Sequence, residues 1–433
     1  MVRDQRRRDF VKTIGAAGLI GLAGCGSDGD GTDTEDGGND NGNENGEGTP
    51  AGRTIDLGIL MGVTGGLEEL GPPIRDAAQL VPRQINDADT DFEVNVQFED
   101  TGTDAQQGVS GAQALADAGV PMYAGALASA VSLQAARDVA IPEGMVTCSP
   151  ASTAPEYSDL DGDFTFRTAV PDSLQGEVLA RIASERLGAE SAATFAQDDS
   201  YGRGLSGAFA DSFESEFDGT ITDEVIFTQG ESSYTSQLEA ALQGDPDTML
   251  IVAFPEDGVR IFQDFYQDFD RGDMDLLVSD GLQDSSLPGD VGFDMTNVTG
   301  TAPIGSGPGL DFFEQSIRDA YGDDYEEDPA SKAFVRQAYD AAATLVLANA
   351  AAGENDGESV RDSVRPVTDP GGTEVLPENL TESVEMAAAG EEIEYRGVSG
   401  EVTYDENGDQ ADAAYQYFEF TEDGLEEVEV ITA

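Results

Sequence analysis

The sequence predicts an α/β protein of two lobes, each a mostly parallel sheet flanked by helices. Three observations carry this reading. Short strand-like runs alternate with longer runs of helical period, and that order implies parallel sheets covered on both faces. Hydrophobic residues make up 39% of the chain and recur in periodic segments from Thr54 to the end, so there is enough apolar surface for a sizeable core. About 380 residues follow Thr54, too many for one such unit, because single cores stop growing beyond roughly 250–300 residues.

The elements follow in order. TIDLGILMG, Thr54 to Gly62, alternates and then turns fully apolar, as a strand entering the middle of a sheet does. Ile74 to Asn86 reads as a helix with Ile74, Ala77, Ala78, Val81 and Ile85 on one face. Pro82 inside it costs ~3 kcal/mol in a regular helix or forces a kink. Phe92, Val94, Val96 and Phe98 alternate as a second strand, and an Ala-rich helix runs from about Asp104 to Ala118. Further strands are expected at Met122 to Gly125, Val146 to Ser149, Ala192 to Ala196, Glu224 to Thr228 and Met249 to Phe254, each followed by a helix-like run.

The N-terminus is of another kind. RRRDFVKTIGAAGLIGLAGC, Arg6 to Cys25, is basic and then apolar for about a dozen residues, short of the ~17 that even a brief membrane span needs. It fits an export leader: a positive segment, an apolar stretch and a small-residue end. Arg7-Arg8 resembles a twin-arginine signal, and LAGC resembles the lipobox of exported lipoproteins, in which the cysteine is lipidated and the chain cut before it. Residues 1–24 are therefore expected to be removed, with Cys25 the lipidation site. Residues 25–53, rich in Gly, Asp, Asn, Glu and Thr, lack apolar residues to bury and are expected to form a disordered tether.

Composition narrows the chemistry. The chain holds 21 Lys and Arg against 87 Asp and Glu, a net charge of −66, and no histidine. Such self-repulsion is screened only at high ionic strength, where the Debye length falls to ~3 Å at 1 M, so an extremely halophilic source, an archaeon, is expected. Nucleic acid is excluded as a partner for so acidic a surface. Without histidine there is no Ser-His-Asp or Cys-His catalysis and no histidine-ligated zinc. No phosphate-binding P-loop is present, and GLSGA at Gly204 to Ala208 fails the spacing of a nucleophile elbow. DENGD, Asp405 to Asp409, lacks the glycine and glutamate of a calcium loop and reads as a hairpin turn. Cys148 is expected to be a buried small hydrophobe. Two sequons, at Asn297 and Asn379, are candidate glycosylation sites.

Eight segments then occur in a recognisable order: LGILMGVTGGLEELG (Leu57 to Gly71), EDTGTDAQQGVSGAQAL (Glu99 to Leu115), YAGALASA (Tyr123 to Ala130), TCSPASTAPEYS (Thr147 to Ser158), FTFRTAVPDSLQG (Phe164 to Gly176), DDSYGRGL (Asp198 to Leu205), AYDAAATLVLA (Ala338 to Ala348) and GVSGEVTYDENGD (Gly397 to Asp409). Together they resemble the leucine/isoleucine/valine-binding family of solute-binding proteins, the extracellular receptors of ABC importers. The resemblance implies a type I periplasmic-binding-protein fold, two lobes joined by three crossings and closing on a small molecule. By that template the first lobe holds residues 54–170 and 301–395, and the second 171–300 and 396–433. No catalysis and no cofactor are implied. The implied partners are a small amino acid, an ABC permease and, through Cys25, the membrane; a monomer is expected. The same module also serves as a ligand sensor in signalling systems, and relatives bind amides, urea and other organic solutes.

Residue types at strand ends agree with such a cleft. Ser129 follows MYAGAL and precedes a helical run, the place for an N-cap whose hydroxyl and neighbouring N–H groups attract a carboxylate. Thr153 and the backbone of Ala151 fall in the equivalent turn after the next strand. The resemblance assigns these three to the ligand carboxylate, Asp280 at the end of LLVSD to its ammonium, and Tyr201 to the wall of the second lobe. Asp172 is a second acidic candidate, although helix capping explains it as well. Phe254 stands where relatives often have tyrosine, and Leu70 where they often have an aromatic residue, so an apolar pocket suited to leucine-like side chains is expected.

Overall fold

The computed structural model describes residues 52–160, 163–270, 274–325, 327–410, 413–421 and 424–432. The leader, Cys25 and nearly all of the tether lie outside the described residues.

Five strands, β1 (Thr54–Met61), β2 (Glu93–Asp100), β3 (Met122–Gly125), β4 (Val146–Ser149) and β5 (Thr165–Arg167), form a parallel sheet in the order β2-β1-β3-β4-β5. The apolar half of β1 is buried because this strand lies between two others and is covered on both faces. Gly58 is needed there: a Cβ would come within 2.8 Å of Tyr123 Cβ and of Leu115 Cδ1. The helix after β1 runs Gly71–Asn86, with Pro82 inside it. It continues through the proline because Ile74, Ala77, Ala78, Val81 and Ile85 are all buried, and that packing exceeds the local penalty.

The chain then crosses to β6 (Ser191–Gln197), β7 (Thr220–Phe227), β8 (Thr248–Val252), β9 (Leu276–Val278) and β10 (Val298–Pro303). It returns to the first lobe, where β11 (Thr373–Val375) and β12 (Ile393–Tyr395) make a small parallel pair, and crosses a third time to β13 (Ala414–Thr421) and β14 (Gly424–Thr432). The second sheet has the order β14-β13-β10-β9-β8-β6-β7, with β13 and β14 antiparallel to their neighbours. Its central strands alternate between two cores: Leu250, Val252 and Leu277 join the core that extends into the first lobe, while Met249, Ile251, Leu276 and Val278 fill the opposite face.

Two expected lobe boundaries sit elsewhere. Strand β10 pairs with β9 and β13, so the second crossing falls after Pro303 rather than at position 301. Residues from 396 to about 410 stay with the first lobe instead of opening the second, because their apolar side chains are buried there. Tyr404 packs edge-on against Phe166 at 5.1 Å and contacts Cys148 Sγ, and Arg167 N–H donates to the Gly408 carbonyl. DENGD is a hairpin turn, with Tyr404 bridged to Gln410. Cys148 is fully buried, and burial pushes its thiol up to about 12.

One carboxylate fixes the first-lobe segment that follows β12. Asp340, fully buried in the apolar helix Val335–Ala352, accepts from the Tyr395 hydroxyl at 2.7 Å, from the Val398 and Ser399 N–H groups and from the Ser399 hydroxyl. Gly397 must lack a side chain, since a Cβ would stand 2.4 Å from Asp340 Oδ2. Asp340→Ala strands these buried donors and is expected to cost about 3 kcal/mol or more; denaturant unfolding in molar salt measures it. Among the sequons, Asn297 has its amide engaged on both sides: Nδ2 donates to the Met274 carbonyl, and Oδ1 accepts from Tyr266.

Candidate functional site

Loops at the carboxyl ends of parallel strands meet where the two sheets face each other. They line a cavity between the two lobes. The first lobe supplies Leu67, Leu70 and Ile74 after β1, Leu127 to Ser129 after β3, and Ala151 after β4. The second supplies Tyr201, Phe254, Asp280 and Gly281, after β6, β8 and β9. Phe334 completes the wall from the segment ahead of the helix Val335–Ala352.

Six of the expected residues, Leu70, Ser129, Ala151, Tyr201, Phe254 and Asp280, therefore line one cavity. Thr153 and Asp172 are buried and do not line it, although Thr153 is in the same loop as Ala151 and Asp172 stands close enough to feel the charge of Asp280. Ser129 is not an N-cap. Ala128 holds that position, and Ser129 Oγ accepts from the Ala154 N–H at 3.2 Å, which leaves its own hydrogen for an acceptor. Capping also fails to explain Asp172, because Pro171 is the N-cap of the helix Asp172–Arg181 and the Asp172 carboxylate caps nothing.

Hydrogen bonds tie the loops into place. Ser149 Oγ donates to the Ala126 carbonyl at 2.6 Å and accepts from the Ser152 N–H at 2.9 Å, and Ser152 Oγ bonds Ser132 Oγ at 2.5 Å. Arg167, fully buried, donates to the Ser152 and Ala154 carbonyls at 3.1 and 3.0 Å and pairs with Asp409 at 2.6 Å. On the far wall, the Tyr201 hydroxyl bonds Ser279 Oγ at 2.7 Å, reaches Asp280 Oδ2 at 3.3 Å and accepts from the Gly281 N–H at 3.2 Å. The rings of Tyr201 and Phe254 stack with centroids 5.7 Å apart.

The electrostatics are one-sided. Burial raises the Asp280 carboxyl to about 6. Asp172 is pushed well above the usual carboxylate range, by burial first and by the charge of Asp280 second; the Thr153 hydroxyl and the Arg167 guanidinium act against this. Both oxygens of Asp172, Oδ1 of Asp280 and Oγ1 of Thr153 make no hydrogen bond of good geometry among the described residues, although the Thr153 hydroxyl stands near Asp172 and the Gln175 amide near Asp280. Buried polar atoms are ordinarily paired, and this group asks for a cationic donor. The arrangement can hold a molecule with an ammonium at Asp280, an acceptor near the Ser129 hydroxyl and an apolar body against Leu67, Leu70, Ile74 and Phe334.

Sequence reasoning missed Phe334, Gly281, Leu127 and Ala128, and placed Ile74 only on a helix face. Gly281, Leu127 and Ala128 stand within two residues of ones it singled out. Phe334 has no sequence signal: it comes from a distant part of the chain and sits in the left-handed region at φ 64°, which nothing around a phenylalanine announces.

Comparison with known proteins bears on the fold and the family. A leucine-, isoleucine-, valine-, threonine- and alanine-binding protein of Pseudomonas aeruginosa is 26% identical over 339 residues, covering 73% of this chain and 84% of that one. The chemotactic signal transduction substrate-binding protein BasB of Halobacterium salinarum is 24% identical over 288 residues, 65% of this chain and 64% of that one. The crystal structure of the leucine-binding protein LivK of Thermotoga maritima superposes with a TM-score of 0.72 at 23% identity, covering 87% of this chain and 98% of that one. The sequence profile of the periplasmic binding proteins matches residues 54–424, and the chain belongs to that family.

Proposed function

We propose that this chain is the extracellular substrate-binding protein of an ABC importer for a branched-chain or related aliphatic amino acid, held at the membrane by a lipid on Cys25 and exported by the twin-arginine route. Ligand bridges the lobes, favours the closed arrangement by its differential affinity for it, and so presents that arrangement to a permease. The observation that carries this is the cavity that joins Asp280, a buried and incompletely bonded aspartate with Asp172 close behind it, to an apolar wall. A neutral amide or urea would leave the Asp280 carboxylate uncompensated, which disfavours those ligands.

Calorimetric or thermal-shift screening of the protein in molar salt against the amino acids tests the reading. Leucine, isoleucine or valine should bind and raise the melting temperature. No response to any amino acid, with binding of an unrelated solute, would sink it. The likeness to BasB favours a second reading, in which the closed form reports to a signalling membrane protein; co-purification with a transducer instead of a permease would select it.

A further inference from the structure

Lys332 is one of two lysines in the chain, the other being Lys12 in the leader-like segment. Its ammonium is mostly buried and pairs with Asp284 Oδ1 at 3.4 Å and with Glu327. Glu327 also accepts from the Ser285 hydroxyl. Asp284 and Ser285 belong to the second lobe. They follow β9 by way of the turn Asp280–Leu282, and Leu282 packs into the core of the second sheet. Glu327 and Lys332 belong to the first lobe, between the helices Leu310–Tyr321 and Val335–Ala352, both of which pack on the helix Gly71–Asn86. The cluster therefore spans the two lobes, and Phe334, two residues beyond Lys332, lines the ligand cavity.

Bringing the lobes together otherwise sets like charges face to face. Glu69 and Glu327 of the first lobe meet Asp284 of the second. Glu69 is raised above the usual range, by burial first and by Asp284 second, with Lys332 opposing. Exposed ion pairs contribute little, but the Asp284 side chain is only 4% exposed, so molar salt screens this pair much less than a surface pair.

We propose that Lys332 is an interlobe latch: its ammonium engages Asp284 only when the lobes are closed, and it thereby sets ligand affinity and release without touching the ligand. The latch rests on the capture reading above and is tested with the full chain in molar salt, using leucine as the probe. Lys332→Gln is expected to weaken leucine binding ten- to a hundredfold through faster dissociation, with the association rate changed less than threefold. Lys332→Arg should stay within threefold of the parent. Adding Asp284→Asn to Lys332→Gln should recover part of the loss, since it removes a carboxylate left uncompensated. Acetylation mapped to the Lys332 peptide should slow at least tenfold when leucine is bound. An unchanged dissociation rate in Lys332→Gln, or equal acetylation with and without bound leucine, overturns the latch. If the parent protein binds no amino acid, the capture reading fails separately. The latch is then read with the solute that the thermal-shift screen shows to bind: faster dissociation from Lys332→Gln supports it, and an unchanged rate overturns it.

Discussion

Asp280→Ala is expected to lower amino-acid affinity at least ~30-fold, because truncating one partner of a buried charge pair costs roughly 2–5 kcal/mol. The melting temperature of the ligand-free protein should stay unchanged or rise. The two outcomes have one cause. Asp280 is buried at the cavity wall, with Oδ1 making no hydrogen bond of good geometry and its carboxyl raised to about 6. A folded-state value above the ordinary 3.8 means that the protonated form stabilises the empty fold. That stability is fully present below pH ~4 and is lost as pH rises through 6, by about 3 kcal/mol at 1.36 kcal/mol per unit. Binding runs the other way, because an ammonium needs the ionised carboxylate. Between pH 6 and 4.5 the dissociation constant should rise about tenfold per pH unit, the slope of one linked proton. Titration calorimetry across pH 4.5–8 in molar salt measures both effects. Unchanged affinity in Asp280→Ala would remove this residue from the site.

Arg167→Met is expected to destabilise the fold by about 3–5 kcal/mol, the usual consequence of leaving one half of a buried ion pair alone. Arg167 has no exposed surface; its guanidinium holds Asp409, Ser158 and the carbonyls of Ser152 and Ala154 and lies 5.4 Å from the centre of the Tyr157 ring. The substitution strands Asp409 and releases the loop that carries Ala151 and Thr153. Replacing both partners by apolar residues, Arg167→Met with Asp409→Leu, should recover most of the loss, since such pairs offset their own desolvation poorly. Denaturant unfolding separates these cases, and a loss below 1 kcal/mol for Arg167→Met would contradict the account.

Much of this architecture is legible in the residues. The strands β1, β3 and β4 lie where apolar runs placed them, because burial on both faces leaves a continuous apolar stretch. The strand β5 does not announce itself, being three residues long and ending on an arginine. Nor does β10, where Val298–Pro303 contains glycine and ends in proline. At the site, position was readable and role was not. Ser129 and Asp172 stand at helix starts, yet neither side chain caps its helix, because tertiary partners direct Ser129 and burial isolates Asp172. Phe334 and Lys332 act across the space between lobes, and a contact of that kind leaves no periodicity in the chain.

Neither lobe is a continuous stretch of polypeptide, and this bears on how the protein is made. The helix Val335–Ala352, which covers β1, β3 and β4, begins 168 residues after β5 ends. At ~5–20 residues per second of synthesis, the first sheet waits on the order of 10–30 s with one face bare. Maturation of both lobes is thus deferred until the ribosome has nearly finished, and the nascent chain depends on whatever shields that face in the interval.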